Sequence, residues 1–236
     1  MIPKKRFWKD VTVAPVEAGF EVRLDDRPLR TPLKSQMILP TVAVADLVAG
    51  EWDAVEDEIN PAVMPANRMS NSAIDTVALR KDDVAAMLSE YAGTDLLCYW
   101  AEGPEALIAR QRAEWQPILE WVSQHYAAPV ATTSGIMPIA QDPRLRAGVH
   151  AEILELEPFE IAGLHDVLVL SGSAFLAMAW FHDAIEKDQV WALSRIDAEW
   201  QIAQWGEDED EAARVAIKHS EFDFAAKFCR LARSCA

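Results

Sequence analysis

The hydrophobic period of the chain changes once, near residue 40, and this change limits the fold more than any other feature of the sequence. Before it, short runs of β-type residues alternate with turn residues. These runs are 11–13, 20–24 and 37–40. From Thr41 onward apolar residues recur three or four positions apart, beginning with Val44, Leu47 and Val48, which is the spacing of one helix face. The chain is therefore predicted to be an α+β protein, with a small N-terminal antiparallel β domain followed by a larger α-helical domain.

A proline-interrupted loop marks the predicted domain boundary. The first helical segment closes at Trp52, and Pro61 and Pro65 follow soon after it. We therefore expect an N-terminal β-rich domain at 1–62 and a C-terminal α-helical domain at 63–236. In the second domain the apolar spacing predicts helices at about 68–91, 104–126 with a kink or restart at Pro117, 158–186 in one or two pieces, 189–205 and 209–232, and one strand at 96–100.

Charge and glycine content exclude several functional classes. Lys and Arg total 22 against 38 Asp and Glu, which gives a net charge of −16 and repels nucleic-acid phosphates and anionic membranes. Neither GxxxxGK nor GxGxxG occurs, so no phosphate-binding loop and no cofactor are predicted. The tripeptide Ser171-Gly172-Ser173 lacks the GxSxG pattern of a serine hydrolase and is interpreted as a helix cap.

The sequence also bears on location. The basic N-terminus, residues 1–8, is not followed by the apolar region of a signal peptide. The most apolar stretch, 167–181, is interrupted and too short for a membrane span. Cys98, Cys229 and Cys235 form no CxxC pair, which favours reduced thiols. We expect a protein of the cytoplasm or of an equivalent reducing compartment.

Two competing classes stay open at this point. The pairs His165-Asp166 and His182-Asp183 could form the site of a metal-dependent His-Asp hydrolase, although structural histidines are commoner. A helical scaffold for some other partner also fits the composition.

The acidic run at 207–211 is interpreted as the start of a helix, where carboxylates favour the helix dipole, with partner contact as the alternative.

The segment 189–205 would be apolar on two nearly opposite faces if it formed one helix. One stripe contains Leu193, Ile196, Trp200 and Ala203, and the other contains Trp191, Ala198, Ile202 and Trp205. Such a helix is either sandwiched or in contact with a partner. Asp197 and Glu199 lie on the seams between the stripes, and each is either paired internally or available to another molecule.

Several blocks spread over nearly the whole chain resemble one family. They are 6–9 (RFWK), 22–32 (VRLDDRPLRTP), 51–52, 59–61, 64–65, 91 with 94–99, 115–117 (WQP) and 199–206 (EWQIAQWG). The second block is similar to an LDGRPLKTP motif, with Asp26 at the glycine. The last is similar to an EYQxxxWG helix end, with Trp200 at the tyrosine. Together these blocks resemble the ATP synthase assembly chaperones of mitochondria and alphaproteobacteria that bind the ATPase α subunit.

This resemblance implies a protein that is not an enzyme. The implied function is to bind the free α subunit of the F-type ATP synthase and to shield its subunit interface until β subunits displace the chaperone. The resemblance also implies that a functionally important glutamate lies in the helix that ends the last block. It is carried over to Glu199, with Asp197 and Glu207 as alternatives. The predicted partner-binding residues are Glu199, Trp205, Trp52, Asp197, Trp191 and Glu207.

Overall fold

The chain folds into two compact units. A computed structural model describes residues 5–233, so residues 1–4 of the basic N-terminus and Cys235 lie outside the described part. The first unit contains the chain up to Lys81, Leu156–Gly163 and the chain from Phe224 onward, and the second contains Asp82–Glu155 and Leu164–Asp223. The boundary predicted between residues 62 and 63 therefore falls inside the first unit.

The first unit is built on a small antiparallel sheet. Its strands are β1 (Val11–Val16), β2 (Gly19–Leu24), β3 (Arg27–Pro28) and β4 (Ile38–Leu39). β1 pairs along the whole of β2, with Val11 opposite Leu24, and β3 and β4 pair with the two ends of β2. The antiparallel β structure predicted before residue 40 is confirmed.

The turn between β2 and β3 depends on an aspartate. Asp25 lies in the left-handed region with a φ of 54°, which Asp tolerates better than most residues. Its carboxylate accepts the backbone N–H groups of Lys9 and Asp10, each at 3.0 Å. These bonds, from Asp10 first and then from Lys9, lower the pKa of Asp25. Because Asp25 takes the left-handed conformation, the next position, Asp26, does not require glycine.

Helix α1 (Val42–Asp53) packs against β1 and β2, and side chains hold both of its ends. Thr41 caps the N-terminus by accepting a first-turn N–H at 3.2 Å. The Arg6 guanidinium closes the other end by donating to the carbonyls of Asp53 at 2.8 Å and Val55 at 2.6 Å. Carbonyls in the last turn of a helix lack partners within the helix, so Arg6 supplies the missing donors.

A carboxylate of α1 caps the start of helix α2 (Pro65–Ser72). Glu51 accepts the N–H groups of Ala66 at 2.6 Å and Asn67 at 2.8 Å, which are donors that a helix start leaves unpaired. The Trp52 indole N–H donates to the Asn67 side-chain oxygen at 3.0 Å. These bonds join α2 to α1, so both helices belong to the first unit, which extends past residue 62.

The second unit is mostly helical, with α7 at its centre. Its elements are α3 (Lys81–Ser89), α4 (Glu105–His125), α5 (Pro143–Glu155), part of α6 (Pro158–Ser171), α7 (Ala174–Phe181), α8 (Lys187–Ser194), α9 (Ile196–Trp205), part of α10 (Glu209–Ala232), and the parallel two-residue strands β5 (Tyr99–Trp100) and β6 (Thr133–Ser134). Every residue of α7 is buried, and α4 and α8 pack against it.

Several predicted helices have different boundaries in the structure. The helix predicted at 104–126 is confirmed as α4 and runs through Pro117 without a break. Pro117 lies on its exposed face, where water can satisfy the freed carbonyl. The prediction of one helix at 68–91 is wrong, because α2 passes into a wider turn over 73–77 and α3 begins only at Lys81.

Two further predictions are corrected, and one helix was not predicted. The segment 189–205 divides into α8 and α9, because Arg195 leaves the helical conformation. Residues 96–98 form a 3-10 turn, so the strand predicted at 96–100 is reduced to its last two residues. Helix α5 has no counterpart among the predicted helices.

The apolar segment 167–181 is shared between α6 and α7. Gly172 separates the two helices and has a φ of 71°, which favours glycine. In the part of the chain that the structure describes, no helix is long and apolar enough to cross a bilayer.

A buried carboxylate organises the start of α7. Asp95, which is wholly buried, accepts the Ser173 hydroxyl at 2.7 Å and the N–H groups of Phe175 at 3.0 Å and Leu97 at 3.1 Å. The Ser173 hydroxyl in turn accepts the N–H of Leu176 at 3.0 Å. The interpretation of the Ser-Gly-Ser tripeptide as a helix cap is therefore confirmed. A helix start that is closed to water needs acceptors of this kind.

Replacement of Asp95 by alanine is expected to destabilise the protein strongly. The Asp95→Ala change leaves buried donors at Leu97, Ser173 and Phe175 without an acceptor, and we expect a loss of about 3–5 kcal/mol in the free energy of unfolding. Urea denaturation measures this loss. Asp142→Ala is the matched control, because the Asp142 carboxylate also accepts an N–H near a helix start but is partly exposed to solvent. Equal losses in the two variants would contradict the assigned role.

Asp95 also predicts a pH dependence. Burial raises the pKa of Asp95 from 3.8 to about 6, although the donated hydrogen bonds lower it. A carboxyl group that binds its proton more tightly in the folded state stabilises the fold most at low pH, and this contribution falls as pH rises from about 4 to about 6. The difference in unfolding free energy between wild type and Asp95→Asn should therefore change across this interval. Parallel pH profiles for the two proteins would contradict the raised pKa.

Candidate functional site

Helix α9 is held in place by buried polar side chains of α4. Gln111 is completely buried and donates from its amide to the Asp197 carboxylate at 2.6 Å. The amide oxygen of Gln111 accepts the N–H of Ala101 at 2.8 Å. One helical turn further along α4, the Trp115 indole N–H donates to the Leu193 carbonyl at 2.9 Å. Both groups of the Gln111 amide are thus satisfied, which fixes the rotation of α9 against α4.

Asp197 therefore has an internal partner. Its carboxylate is half-buried, and burial raises the pKa of Asp197 while the bond from Gln111 lowers it. Of the two alternatives for a seam carboxylate, internal pairing and contact with another molecule, the structure places Asp197 with the first. Its position makes it a residue that orients α9.

Glu199, two residues further on, faces solvent. Its side chain is 46% exposed and lies 3.5 Å from the Arg110 guanidinium of α4. Arg110 also makes a closer bond of 2.9 Å to Glu114 on its own helix, so the pair with Glu199 is a weak surface contact. Glu199 can exchange this contact for one with another molecule at little cost.

The end of α9 exposes a tryptophan. Trp205 is the last residue of the helix, and its side chain is 80% exposed. Gly206 follows with a φ of 88° and donates its N–H to the Ile202 carbonyl at 2.8 Å, which ends the helix. The indole is thus presented at the end of a helix whose rotation is fixed.

Trp205 lies between two surface concavities. One, of about 400 Å³, is lined by Ile202, Trp205, Glu207 and residues of the first turns of α10. The other, of about 450 Å³, is lined by Leu107, Trp200, Trp205 and residues that precede α4. An exposed indole flanked by two concave surfaces has the features of a protein-binding site, in which a partner covers the aromatic anchor and fills the recesses on either side.

The acidic run beside this site begins α10. The Asp208 carboxylate accepts the N–H of Glu211 at 2.8 Å and so caps the helix. Glu209, Asp210 and Glu211 occupy its first turn. The interpretation of 207–211 as a helix start is therefore confirmed. Glu207 is exposed and lines the first concavity beside Trp205.

Trp191 lies on α8 and packs within the second unit. Its ring stacks on His219 of α10 at 4.7 Å and contacts Phe222 at 5.3 Å. The Arg195 guanidinium lies over the same ring at 5.5 Å. Trp191 is half-buried, so a partner could reach only part of it.

Trp52 belongs to the first unit. Besides its hydrogen bond to Asn67, its ring meets that of Trp8 edge-on, with centroids 5.2 Å apart. The structure thus places Trp205, Glu207, Glu199 and Asp197 along α9 and its end, while Trp52 lies in a separate unit. The contacts of Trp52 are those of a residue that joins α1 to α2.

The residues predicted for a His-Asp hydrolase do not form one metal site. His165 pairs with its neighbour Asp166 at 2.7 Å. Within residues 5–233, three metal-ligating side chains come together once, at His125, Glu152 and His182. Of the four residues in the hydrolase hypothesis, His182 alone belongs to this group.

Sequence reasoning missed two residues on which the site depends. Gln111 and Arg110 of α4 contact Asp197 and Glu199, and neither was considered as part of the site. A signal for Gln111 exists, because it lies four residues from both Leu107 and Trp115 on the buried face of α4. A polar residue in an apolar stripe requires a buried partner. The sequence does not indicate which partner that is.

Comparison with known proteins identifies relatives over nearly the whole chain. A family model described as ATP12 chaperone protein matches residues 5–123. The crystal structure of Atp12 from Paracoccus denitrificans is 43% identical, with a TM-score of 0.91 over 97% of this chain and 98% of that chain. An aspartate-to-lysine mutant of Atp12p from the same organism is 42% identical, with the same TM-score and coverage. A chaperone candidate from Agrobacterium tumefaciens is 38% identical, with a TM-score of 0.90 over 97% of this chain and 86% of that chain. The predicted α+β fold class is confirmed.

The two carboxylates of α9 are expected to differ in their effect on stability. Asp197→Ala leaves the buried Gln111 amide without its acceptor, and we expect a loss of about 1–3 kcal/mol in the free energy of unfolding. Glu199→Ala removes a surface ion pair and should cost less than about 1 kcal/mol. Urea denaturation distinguishes the two. Asp197→Asn keeps an acceptor for Gln111 and should recover most of the loss, and failure to do so would contradict the hydrogen-bond explanation.

Proposed function

The chain belongs to the ATP12 chaperone family, and on that premise we propose that it binds the free α subunit of the F-type ATP synthase. In this proposal the chain covers a subunit interface of α until β subunits displace it. The role requires binding and release rather than catalysis. It would be carried out in the bacterial cytoplasm, or in the mitochondrial matrix of a eukaryote.

The proposed client has a physical need for such a partner. A subunit that normally packs between two others exposes apolar surface before assembly, and large exposed apolar patches aggregate. A protein that covers the patch must bind it specifically but must also release it. A site with few anchors meets both requirements, because the final partner can compete with a larger and more apolar interface.

The exposure of Trp205 is the observation that carries the proposal. Tryptophan is highly buried on average, yet this side chain is 80% exposed at the end of α9. Its rigid apolar body and single N–H donor make tryptophan one of the commonest interface anchors. Since Asp197 and Gln111 fix the rotation of α9, Trp205 is held ready for contact, and little conformational entropy would be lost on binding.

Acidic side chains surround this anchor and favour a basic patch on the client. Glu207, Asp208 and Glu211 line the concavity on one side of Trp205, and Glu199 lies exposed on the same helix. Charges at the rim of an interface mainly steer encounter and select the partner. A client surface with lysines or arginines around an apolar recess would therefore complement this site.

The Trp205→Ala variant tests the anchor. We expect its affinity for the α subunit to fall on the order of tenfold or more, since aromatic anchors at interface centres contribute most of the binding energy. Co-purification with a tagged α subunit expressed without β measures capture, and light scattering measures aggregation of α. Met87→Ala is the control, because Met87 is an exposed apolar residue on α3 that lines neither concavity. Unchanged capture by Trp205→Ala would remove this surface from the proposal.

A charge reversal tests the acidic residue. Glu199→Lys should fold normally, because the side chain is exposed, but it should weaken capture of α by replacing an attractive charge with a repulsive one. Glu120→Lys is the control, because Glu120 is an exposed glutamate on α4 and its replacement changes the net charge by the same amount. If Glu207→Lys weakens capture while Glu199→Lys does not, the important carboxylate is Glu207. If neither weakens it more than Glu120→Lys, an acidic contact at this site is disproved.

A further inference from the structure

Two histidines and a glutamate from different elements of the second unit meet at one site, which we call the His-Glu-His cluster. His125 ends α4, Glu152 lies on α5, and His182 directly follows α7. The Nε2 atom of His125 is 2.5 Å from one carboxylate oxygen of Glu152, and Nε2 of His182 is 3.0 Å from the other. The three ligand atoms lie within 4.8 Å of one another.

Neighbouring side chains hold the members of the cluster in orientation. The ring of Trp121 stacks on His125, with centroids 4.6 Å apart and an interplanar angle of 14°. Tyr126 meets the same imidazole edge-on at 4.7 Å, and its hydroxyl donates to Glu152 at 3.0 Å. Hydrogen bonds from surrounding residues commonly orient metal ligands in this way. The cluster is therefore organised before any ligand binds.

We propose that the His-Glu-His cluster binds a divalent transition-metal ion of the zinc class. Two imidazole nitrogens and one carboxylate oxygen form a ligand set that Zn²⁺ accepts at distances of about 2.0–2.2 Å. Ligand atoms around a tetrahedral ion of this size lie roughly 3.3 Å apart. Since the atoms of the cluster are already within 4.8 Å of one another, small side-chain rotations bring them into place. Mg²⁺ and Ca²⁺ prefer oxygen ligands and are not expected to bind here.

The second histidine is more than an ion pair requires. Other histidine–carboxylate contacts among the described residues join a single imidazole to a carboxylate, as in His165–Asp166 and His150–Asp82. In the cluster the ring centroids of His125 and His182 are 4.6 Å apart. Both Nε2 atoms lie close enough to share one cation with the Glu152 carboxylate, and imidazole nitrogens are common ligands of such an ion. Metal binding accounts for both histidines.

A bound ion would join the end of α4, the last turn of α5 and the end of α7. Three protein ligands leave a fourth coordination position for water or for a side chain of another molecule. The inference does not depend on the identity of the chaperone's client. It predicts that metal stabilises the second unit even when no partner is present.

Metal titration of the untagged, metal-free full-length protein tests the inference. Calorimetry with Zn²⁺ should give one equivalent per chain, and saturation at about a hundred times the Kd should raise Tm by roughly 5 °C or more. Co²⁺ should give the intense visible absorption of a four-coordinate ion, and Mg²⁺ should produce neither effect. Failure of wild type to bind one equivalent, or a weak six-coordinate Co²⁺ spectrum, would overturn the proposal.

Single substitutions locate the bound ion. His125→Asn, His182→Asn and Glu152→Gln should each weaken Zn²⁺ binding at least about tenfold, and Tyr126→Phe should also weaken it by removing the bond that orients Glu152. His150→Asn is the control, because His150 lies on α5 but outside the cluster. This variant should bind Zn²⁺ as tightly as wild type. If all three ligand variants bind as tightly as wild type, or if His150→Asn loses as much, the ion is adventitious and the proposal fails. Circular dichroism confirms that each variant is folded.

Discussion

The arrangement of the second unit depends on one buried carboxylate. Helix α7 is buried along its whole length, so water cannot satisfy the N–H groups at its start. Asp95 supplies the acceptors, and the same carboxylate caps the turn at 96–98 by accepting the Leu97 N–H. Helix α4 packs on α7 and positions α9 through Gln111. The presentation of Trp205 therefore depends, through three helices, on a hydrogen-bond network far along the chain from it.

The two carboxylates of α9 have different surroundings. Asp197 points inward to a buried amide, and Glu199, two residues later, points to solvent and holds only a weak ion pair. A residue that pairs internally sets the angle of the helix, while an exposed residue stays accessible to other molecules. Substitutions at the two positions therefore change different properties, namely stability at Asp197 and surface charge at Glu199.

The sequence predicted the structure best where the residues of one short segment determine its own conformation. The change from alternating to helical spacing near residue 40 located the sheet, and Ser173 was recognisable as a helix cap because Ser caps helices through its own side chain. The break at Arg195 was missed because no proline or glycine marks it. Likewise, whether Asp197 or Glu199 faces inward depends on Gln111, which lies far away in sequence. Such pairings arise from tertiary packing, and the spacing of residues within one segment does not predict them.

The return of the chain to its first unit has a consequence for synthesis on the ribosome. Phe228 lies in the apolar core of that unit beside strands made at the other end of the chain, and Thr41 donates its hydroxyl proton to the Leu231 carbonyl. The core that begins to form first along the chain is thus completed only after α10 has left the ribosomal exit tunnel. Until then the sheet and α1 expose an apolar face to solvent. A member of a chaperone family therefore itself exposes unfinished apolar surface during its own translation.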